Sequence, residues 1–531
     1  MERWKPRQEF TKREQVILKR TEKRRKLFTF LRLQRHSIFD DAFQEELEAM
    51  YRDTGAGDEP NPPAFMCMVL LLQGYLGVSD ADAVDLSVVD MRWQMVLDCL
   101  GAEEALFSQG ALQQFRERLI HADMDRRLLE RTVEFAKKTA AFDWKKLPKS
   151  LRVAIDSRPF EGAGRVEDTF NLLGHAARKI AECAAELTGQ SFAEVCRLGG
   201  MPLLLCSSIK AGLDVNWNDG EQRDNALNDL TNQLTSLHAW VVRNVGAAIV
   251  QDPLRPYIEA LVQVQRQNLE RGENGRVRIP QGVAEDRRVS IEDPDMRHGR
   301  KSKSKRFNGY KQHIAADIDT DLIVACAVTP ANRPEEEAAP LLEADIGRQN
   351  LAIGGVSIDR AYVNSTIVSN VLAAGGDVLC KPWALRNNSG LFSKANFKID
   401  LRRKTITCPA GQVEQFEMGD VVEFDPEVCG ACPMRGQCTH SASGRGRTVK
   451  IADDERLQKR LRKLQATSTG RARLRMRTGV EHRLAHIAAR QGPRARYKGT
   501  RKNAYDLRRM AAIQNLETID RRERSGINGA P

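Results

Sequence analysis

The sequence predicts a mixed α/β fold, in which a sheet core is joined to an all-helical N-terminal region, a helical insertion and a small cysteine-rich segment. Two strand-like segments, Val153–Asp156 and Val356–Asp359, each run through a mostly apolar stretch and finish in an aspartate. Between them, alternating segments at 309–316 and 322–328 flank a turn and predict a β-hairpin. The order of strand, insertion, hairpin, helix, strand, helix and strand is typical of a mixed sheet.

The first element is a basic, helical region, which we predict to bind DNA and to cover residues 1–147. Its apolar residues recur at spacings of three and four, and one helix is expected to open at Pro62-Pro63 and to end near Gly77. Ser79 then stands where a helix cap is expected. Short turns between such helices are compatible with a helix-turn-helix unit, and equally with a small bundle that has no DNA-binding role.

The sheet core is predicted at 148–164 and 301–385, and the first strand is expected to stop at Asp156 because SRPFEGAG, rich in turn formers, follows its apolar residues. Residues 165–300 form a largely helical insertion after that strand, which closes with the basic run MRHGRKSKSKR. Later core elements are expected as a helix at 334–348, a helix near 364–374 and a strand at 377–381. The remaining predicted segments are the cysteine-rich 386–450 and the C-terminal helices and basic tail at 451–531.

The net charge of +12 is concentrated at the two ends of the chain. Residues 1–36 carry a net charge of +9 and residues 471–531 carry +11, so the stretch between them carries −8. Clustered cations favour a polyanionic partner, because each neutralised phosphate releases counterions. A solvated basic surface without a partner is the alternative, and no membrane partner is expected because aromatic anchors do not accompany the charges.

Composition excludes several other classes. No stretch approaches the roughly 18 consecutive apolar residues that span a bilayer, and the opening MERWKPRQEF lacks the apolar segment of a secretory signal. We therefore expect the protein to remain in the compartment where it is made, the cytoplasm. In such a reducing compartment the eleven cysteines are not expected to form disulfides.

The paired aspartates indicate a metal-dependent reaction on DNA. Cutting DNA without a covalent intermediate requires an activated water and a stabilised leaving oxygen, and two Mg²⁺ or Mn²⁺ ions supply both. Such ions need acidic side chains from different elements. Asp156 and Asp359 would meet at one sheet edge if their strands are parallel neighbours. Either aspartate alone would also suit a turn or a helix cap.

A third carboxylate is expected on a helix beyond the last strand, and Glu481 is the candidate. It borders an apolar stripe of Val480, Leu484 and Ile487, and it is the only acidic residue in 471–505. An ordinary surface pair with Arg477, one turn earlier on the same helix face, is the alternative. The basic side chains expected to contact phosphates or DNA are Arg477, Arg483, Lys301, Lys303, Lys305, Arg306 and Lys311.

The cysteines at 408–438 have a spacing that suits a structural zinc knuckle. Cys408 opens the motif Cys-Pro-Ala-Gly, and Cys429, Cys432 and Cys438 follow in the pattern Cys-x2-Cys-x5-Cys. Four free cysteines are the alternative. The other cysteines lie in apolar surroundings and are predicted to be core residues: Cys67, Cys99, Cys183, Cys196, Cys206, Cys326 and Cys380.

Taken together, these motifs resemble the DDE transposases of bacterial insertion sequences over nearly the whole chain. The motifs are DSRPFEGAGRVEDTFNLLGHA, RHGRKSKSKRFNGYKQHIAADIDTDLI leading to ANRPE, SIDRAYVNS, and VEHRLAHIAARQGPRARYKGTRKNAYDLRRMAAIQNL. A related group carries Tyr-x2-Arg-x3-Glu-x6-Lys. This chain keeps Arg477 and Glu481 of that signature but has Leu474 and Ala488 at the outer positions, so the roles of that tyrosine and lysine do not carry over.

The resemblance implies an RNase-H-like core in which Asp156, Asp359 and Glu481 bind two metal ions. It also implies a hydrolytic nick at a transposon end, followed by attack of the freed 3′-OH on target DNA. No ATP is expected, since transesterification conserves the phosphodiester and no GxxxxGK[ST] motif is present. Double-stranded DNA is the expected partner, and joining two element ends calls for a homodimer. The alternatives are a nuclease that does not join DNA and a catalytically inactive DNA-binding protein.

Overall fold

The computed structural model describes residues 2–51, 59–273, 275–302, 304–385, 390–442 and 444–528. Contacts divide the chain into two units, which are described separately. The large unit comprises Met1–Lys149, Asp156–Ala352 and Val480–Pro531, and the small unit comprises Ser150–Ile155 and Ile353–Gly479. This division follows contacts, whereas the five segments predicted above follow composition and periodicity and stay a prediction.

Helices fill the N-terminal part of the large unit, and local signals in the sequence explain their ends. The helix of 63–76 has proline in its first turn and ends at Gly77, whose φ of 73° suits a residue without a side chain. Ser79 and Asp82 form a capping box at the next helix, as predicted. These helices are α1 (Lys12–Thr21), α2 (Lys26–Ile38), α3 (Asp41–Glu48), α4 (Pro63–Leu76), α5 (Asp80–Val89), α6 (Met91–Leu97), α7 (Gln109–His121) and α8 (Met124–Lys137).

The sheet strands of the large unit lie around a long hairpin. The hairpin was predicted, and its antiparallel register, in which His313 faces Ala327, confirms it. A further short strand also pairs with the first hairpin strand, with Arg300 facing Arg306. These elements are β1 (Leu151–Glu161), β4 (Arg297–Arg300), β5 (Arg306–Asp317), β6 (Ile323–Pro330) and α14 (Ala339–Arg348).

The first strand is longer than predicted, because β1 continues through Asp156 to Glu161. Hydrogen bonds to β5 explain the extension: Gly162 N–H donates to the Asn308 carbonyl (2.7 Å), and Asn308 N–H donates to the Glu161 carboxylate (3.1 Å). The expectation that β1 stops at Asp156 was therefore wrong. The stabilising partner lies some 150 residues away in the sequence and leaves no local signal.

The insertion between β1 and β4 is largely helical, as predicted, and has its own apolar core. Its longest helix is amphipathic and buries Leu227, Leu230 and Leu234 along one face. The elements are α9 (Thr169–Thr188), α10 (Phe192–Leu198), α11 (Ile209–Leu213), α12 (Gly220–Val245), α13 (Arg255–Asn268), and the short strands β2 (Glu270–Arg271) and β3 (Val277–Arg278).

The last two helices of the large unit are α20 (Thr478–Gln491) and α21 (Thr500–Asn528), and α21 packs against α4, α8 and β6. One side chain shows how this helix joins the others. The amide of Asn515 donates to Thr132 Oγ1 on α8 (2.9 Å) and exchanges two hydrogen bonds with the backbone of Ile323 on β6 (both 2.8 Å). The C-terminal helix therefore connects the N-terminal helices with the sheet of this unit.

The small unit contains the start of β1 and two further parallel strands. Ala154 of β1 faces Ser357 in the first of them, which in turn pairs with the second. A separate apolar core holds the cysteine-rich part. The elements are β7 (Ile353–Ser357), α15 (Thr366–Ala373), β8 (Asp377–Leu379), β9 (Lys398–Asp400), β10 (Thr405–Thr407), β11 (Val413–Gln415), β12 (Val421–Glu423), α16 (Pro426–Ala431), α17 (Arg435–Cys438), β13 (Thr448–Lys450), α18 (Glu455–Ala466) and α19 (Ser468–Arg475).

The predicted fold class, mixed α/β, is confirmed by strands that pair both parallel and antiparallel among many helices. Of the described helices, none is by itself long and apolar enough to cross a membrane. Only α4 and α5 taken together, with a bend of 103° between them, meet the limits of length and composition.

Candidate active site

Asp156 lies within β1 and is half-buried. Two residues before it, Ala154 faces Ser357 in the parallel pairing with β7, and two residues after it the guanidinium of Arg158 donates to Gln312 on β5 (2.7 Å). Asp156 therefore lies in an extended backbone, between a strand pairing that precedes it and a side-chain hydrogen bond that follows it.

Asp359 lies in the small unit, two residues after Ser357 at the end of β7. It is exposed, and its carboxylate accepts a hydrogen bond from the N–H of Arg360 (2.7 Å) at the start of a short 3-10 helix, Arg360–Tyr362. The preceding Ile358 N–H donates to the Leu379 carbonyl (2.9 Å). Asp359 is thus a helix cap as well as a candidate ligand, so these two interpretations do not exclude each other.

Glu481 is exposed in the first turn of α20, while Val480, Leu484 and Ile487 are buried as the apolar stripe predicts. The far end of α20 is bound to β1 inside the large unit: Arg158 donates to Gln491 Oε1 (2.7 Å). Burial lowers the pKa of the Arg158 guanidinium, and the carboxylate of Asp506 opposes that shift. The helix that carries Glu481 and the strand that carries Asp156 are therefore fixed to each other.

The chain that follows α20 strengthens this connection. Glu161 N–H donates to the Pro493 carbonyl (3.1 Å), and Ala495 N–H donates to the Glu161 carbonyl (2.7 Å). The guanidinium of Arg494 donates to the Gly162 carbonyl (3.1 Å). These three hydrogen bonds hold the end of β1 against the segment 493–495.

Arg477 was expected one turn before Glu481 on the same helix, but α20 begins at Thr478 and Arg477 lies in the turn before it. Arg477 belongs to the small unit, where it influences the buried thiol of Cys380 together with Asp359 and Arg360. Burial is the main cause that raises the pKa of Cys380 to about 12. Arg477 therefore lies in the electrostatic neighbourhood of Asp359.

Two residues beside Asp359 were missed by the sequence reasoning. The guanidinium of Arg360 lies 5.2 Å from the ring centroid of Trp383, whose side chain is 52% exposed. An exposed tryptophan face is suited to stacking on an unpaired base, and the adjacent cation to binding a phosphate. The motif SIDRAY contained Arg360, but nothing in the sequence indicated that Trp383 lies beside it.

The predicted DNA contacts lie in different surroundings. Lys301, Lys305 and Arg306 are exposed at the β4–β5 turn, and Lys303 lies outside the described residues. Lys311 is half-buried, donates to the Arg333 carbonyl (2.7 Å), and has a pKa that burial lowers while Glu335 and Glu337 oppose the shift.

Arg483 does not fit the role of a DNA contact. Its side chain is buried, donates to Thr518 Oγ1 (2.9 Å) and pairs with Asp321 (3.2 Å), while burial lowers its pKa. We therefore do not retain Arg483 among the DNA contacts.

Much of the terminal positive charge is neutralised within the large unit. Arg508 lies between Asp123, Asp125 and Asp345, and Arg501 also pairs with Asp125. Near the N-terminus the buried Arg32 pairs with Glu14 (2.7 Å). Exposed cations remain at the corner between α1 and α2: Lys19, Arg20, Lys23, Arg24, Arg25 and Lys26. The cationic surface offered to a partner is therefore smaller than the composition suggests.

In the part of the chain that the structure describes, no group of three or more His, Cys, Asp or Glu side chains is arranged so that it could hold one metal ion. The chemistry of the predicted donors can still be compared with the expected ions. Asp156, Asp359 and Glu481 offer only carboxylate oxygens, which Mg²⁺ and Mn²⁺ prefer. The donor chemistry fits these ions.

The four cysteines predicted as zinc ligands line one cavity of about 230 Å³ in the small unit. All four are free thiols. Cys408 begins a tight turn, with its N–H donating to the Gln412 carbonyl (2.9 Å). Burial raises the pKa of the Cys438 thiol, Arg447 opposes the shift, and the other three thiols raise the pKa further. The remaining cysteines are buried as predicted, except Cys99 and Cys206, which are partly exposed.

Comparisons with known families identify both ends of the chain. A family model described as Transposase DDE domain matches residues 407–519, which include the four clustered cysteines and Glu481. A second model, described as Transposase domain (DUF772), matches residues 19–118 in the N-terminal helices. Neither match includes Asp156 or Asp359. No curated protein and no solved structure matches the chain. The two matches to transposase domains, in the N-terminal and C-terminal parts of one chain, indicate a DDE transposase of an insertion-sequence element.

Proposed function

We propose that this transposase cleaves DNA at the ends of its element and joins the freed ends to target DNA, using Asp156, Asp359 and Glu481. The observation that carries the proposal is the parallel register of Ala154 with Ser357, since each stands two residues before one of the aspartates. Parallel strands in register present their side chains at the same level of a sheet. The strand order β4–β5–β1–β7–β8, with β6 also paired to β5, further supports the RNase-H-like core that the resemblance implies.

The three carboxylates would hold two Mg²⁺ or Mn²⁺ ions, which stabilise negative charge on the attacking and leaving oxygens when they are bound. The chain itself supplies the orientation of the ligands. The extended backbone of β1 holds Asp156, the Arg360 N–H holds Asp359, and the hydrogen bond from Arg158 to Gln491 fixes the helix of Glu481. Preorganised ligands avoid reorganisation during the reaction.

Two displacements at phosphorus account for transposition. In the first, a water oxygen bonds to the scissile phosphorus and the bond to the 3′ oxygen breaks, which leaves a 3′-OH and a 5′-phosphate. In the second, that 3′ oxygen bonds to a target phosphorus and displaces the 3′ oxygen of the target strand. The second step conserves the number of phosphodiester bonds, so no ATP is needed.

We also propose that the four cysteines of the small unit bind one structural zinc ion. Free thiols from Cys408, Cys429, Cys432 and Cys438 around one cavity support this proposal, because thiolates are preferred zinc ligands. Binding would require the side chains to converge from their present arrangement. It would cross-link the segment between β8 and α18 and so stiffen the approach to α20.

The mechanism also leads us to propose a homodimer on DNA, since two element ends must be joined to one target. The natural setting that we propose is the bacterial cytoplasm, at the nucleoid when DNA is bound. Light scattering of the protein with and without a duplex carrying the element end measures the dimer directly.

The deciding experiment is cleavage and strand transfer on a labelled duplex that carries the element's own end, with Mg²⁺ or Mn²⁺. Asp156→Asn, Asp359→Asn and Glu481→Gln are each expected to lose both steps while binding DNA as the wild type does. Asp377→Asn, an exposed aspartate of the small unit paired with Arg473, is the matched control and should retain both steps. Full activity in any of the three variants removes that residue from the site, and cleavage without joining identifies a nuclease.

A further inference from the structure

The tip of the β4–β5 hairpin carries a dense group of cations. Arg300, Lys301, Lys305 and Arg306 are all exposed, and none of them forms an ion pair with any described carboxylate. We define these four residues as the hairpin cations. Two hydrogen bonds join described residues of the turn: Lys301 N–H donates to the Lys305 carbonyl (2.9 Å), and Lys305 N–H donates to Ser302 Oγ (3.1 Å).

The register of the hairpin brings like charges together. Arg300 faces Arg306 directly across the antiparallel pair, so both side chains lie on one face of the ribbon. Directly opposed like charges destabilise a strand pair. Lys301 and Lys305 come next to this pair, in the turn, and the hydrogen bond from Lys301 N–H to the Lys305 carbonyl keeps their backbones opposite each other. The tip therefore holds four cations close together, at an electrostatic cost that a polyanion would remove.

The base of the hairpin is rigid. The buried Arg297 pairs with Asp286 (2.9 Å) and donates to the Pro294 carbonyl (2.6 Å). A side chain at Gly299 would collide with Ala331 and Phe307, which shows how closely the strands pack there. The hydrogen bonds between Asn308 and the end of β1 fix the other strand. These contacts fix the two strands that carry the hairpin cations.

The hydrogen bonds between Asn308 and the end of β1 also set the distance between the hairpin cations and Asp156. At a rise of about 3.3 Å per residue, Glu161 lies about 17 Å beyond Asp156 along β1, and Lys305 lies about 10 Å beyond Asn308. The tip consequently projects about 27 Å past Asp156, and long side chains extend that reach. One turn of B-DNA is about 34 Å.

We propose that the hairpin cations grip the two phosphate strands of a groove in duplex DNA, about one helical turn from the scissile phosphate. A two-stranded ribbon fits the major groove, and cations at the ends of both of its strands, Arg300 with Lys301 and Lys305 with Arg306, can reach its two walls. The distance of this contact from the scissile phosphate rests on the proposed function, in which Asp156 marks the reacting phosphate. The binding of DNA by the hairpin cations does not depend on that role.

The test uses the full chain and a duplex carrying the element end, without divalent metal, so that binding is measured apart from catalysis. In the variant Arg300→Gln, Lys301→Gln, Lys305→Gln and Arg306→Gln, the slope of log Kd against log salt should fall by about 3 to 4, at about 0.9 for each lost contact. Hydroxyl-radical footprinting should lose protection about one turn from the cleavage position. A matched control changes four exposed cations of the insertion to glutamine: Arg197, Arg223, Arg243 and Arg266.

A single variant separates DNA binding from folding. Arg300→Glu faces Arg306 with an opposite charge, so the free protein should unfold at a temperature no lower than the wild type, while binding weakens at least 10-fold. An unchanged salt slope in the fourfold variant, or an equal change in the control, overturns the proposed grip. If protection is lost at a different distance from the cleavage position, only the proposed location of the contact is refuted. If the wild type does not cleave DNA, the proposed function is refuted, but the binding of DNA by the hairpin cations is not.

Discussion

Ala154 of β1 and Ser357 of β7 face each other in a parallel strand pair, and each stands two residues before an aspartate. The sequence repeats one pattern at both places, Val-Ala-Ile-Asp and Val-Ser-Ile-Asp, and the register aligns the first two residues of the two copies. Val153 faces Val356 in the same pairing. The repeated pattern is therefore a structural equivalence as well as a similarity of sequence.

A ligand role for the aspartates predicts a dependence on the metal. Asp156→Cys and Asp359→Cys should each lose cleavage by about 10³-fold or more with Mg²⁺, because that hard ion binds thiolates poorly. Mn²⁺ should restore part of the rate to these variants. It should not do so for the alanine variants of the same residues, which lack a donor. Equal rates for cysteine and alanine variants with Mn²⁺ would argue against direct ligation.

The paired cations around Asp125 predict a large effect on stability. Asp125 is buried and pairs with Arg501 and Arg508, so Asp125→Asn leaves two guanidinium groups short of a counter-charge. We expect a loss of about 3 to 5 kcal/mol in the free energy of unfolding, measured by urea denaturation. Asp85→Asn, at an exposed aspartate of α5, is the control. Equal stability of the two variants would mean that the buried pairs contribute little.

The approach of β5 to β1 predicts that Gly309 cannot be replaced. A Cβ atom there would lie 2.3 Å from both the Gly162 nitrogen and the Phe160 carbonyl oxygen, and φ is +150°. Gly309→Ala should lower the free energy of unfolding by on the order of 3 kcal/mol. Gly347→Ala is the control, since nothing lies within 4 Å of its Cβ position and alanine favours the helix. Its melting temperature should equal or exceed that of the wild type.

A buried carboxylate of the small unit predicts a dependence of stability on pH. Burial raises the pKa of Glu455, but hydrogen bonds from Lys394 and Arg462 outweigh burial and hold the pKa below its ordinary value. Such a group stabilises the fold above its unfolded pKa of about 4.3, and the contribution is lost as the pH falls through the folded value.

Glu455→Gln should therefore unfold at a lower temperature than the wild type at pH 7, and this difference should shrink below about pH 4. Thermal unfolding followed by circular dichroism across this range measures both quantities. Glu427→Gln, at an exposed position of α16, should show no such pattern. A difference in melting temperature that does not change with pH would mean that the ion pairs are not its cause.

The proposed zinc site predicts a bound metal that can be measured. Purified protein should contain about one zinc ion per chain by mass spectrometry of the metal, and Cys429→Ser should reduce that content and speed proteolysis of the small unit. Cys206→Ser, at a partly exposed cysteine of the insertion, is the control and should keep the zinc. If zinc-free protein resists proteolysis as well as the purified wild type does, the four cysteines are free thiols and not zinc ligands.

Local elements could be predicted from the sequence because their causes act over a few residues. Pro63, Gly77 and Ser79 set the limits of α4 and α5, and the alternating residues on either side of the 317–321 turn predicted the hairpin. The apolar stripe beside Glu481 identified the buried face of α20. These signals need no knowledge of a partner.

Local sequence patterns were enough to predict the mixed α/β class, the hairpin and the two similar apolar segments that precede Asp156 and Asp359. Three further features became known from the three-dimensional fold alone: β1 continues to Glu161, Arg483 is buried, and Arg508 lies among three aspartates. Each of these depends on a partner far away in the sequence. Strand pairing and charge burial are set by such partners, whereas capping and periodicity are set by neighbours in the chain.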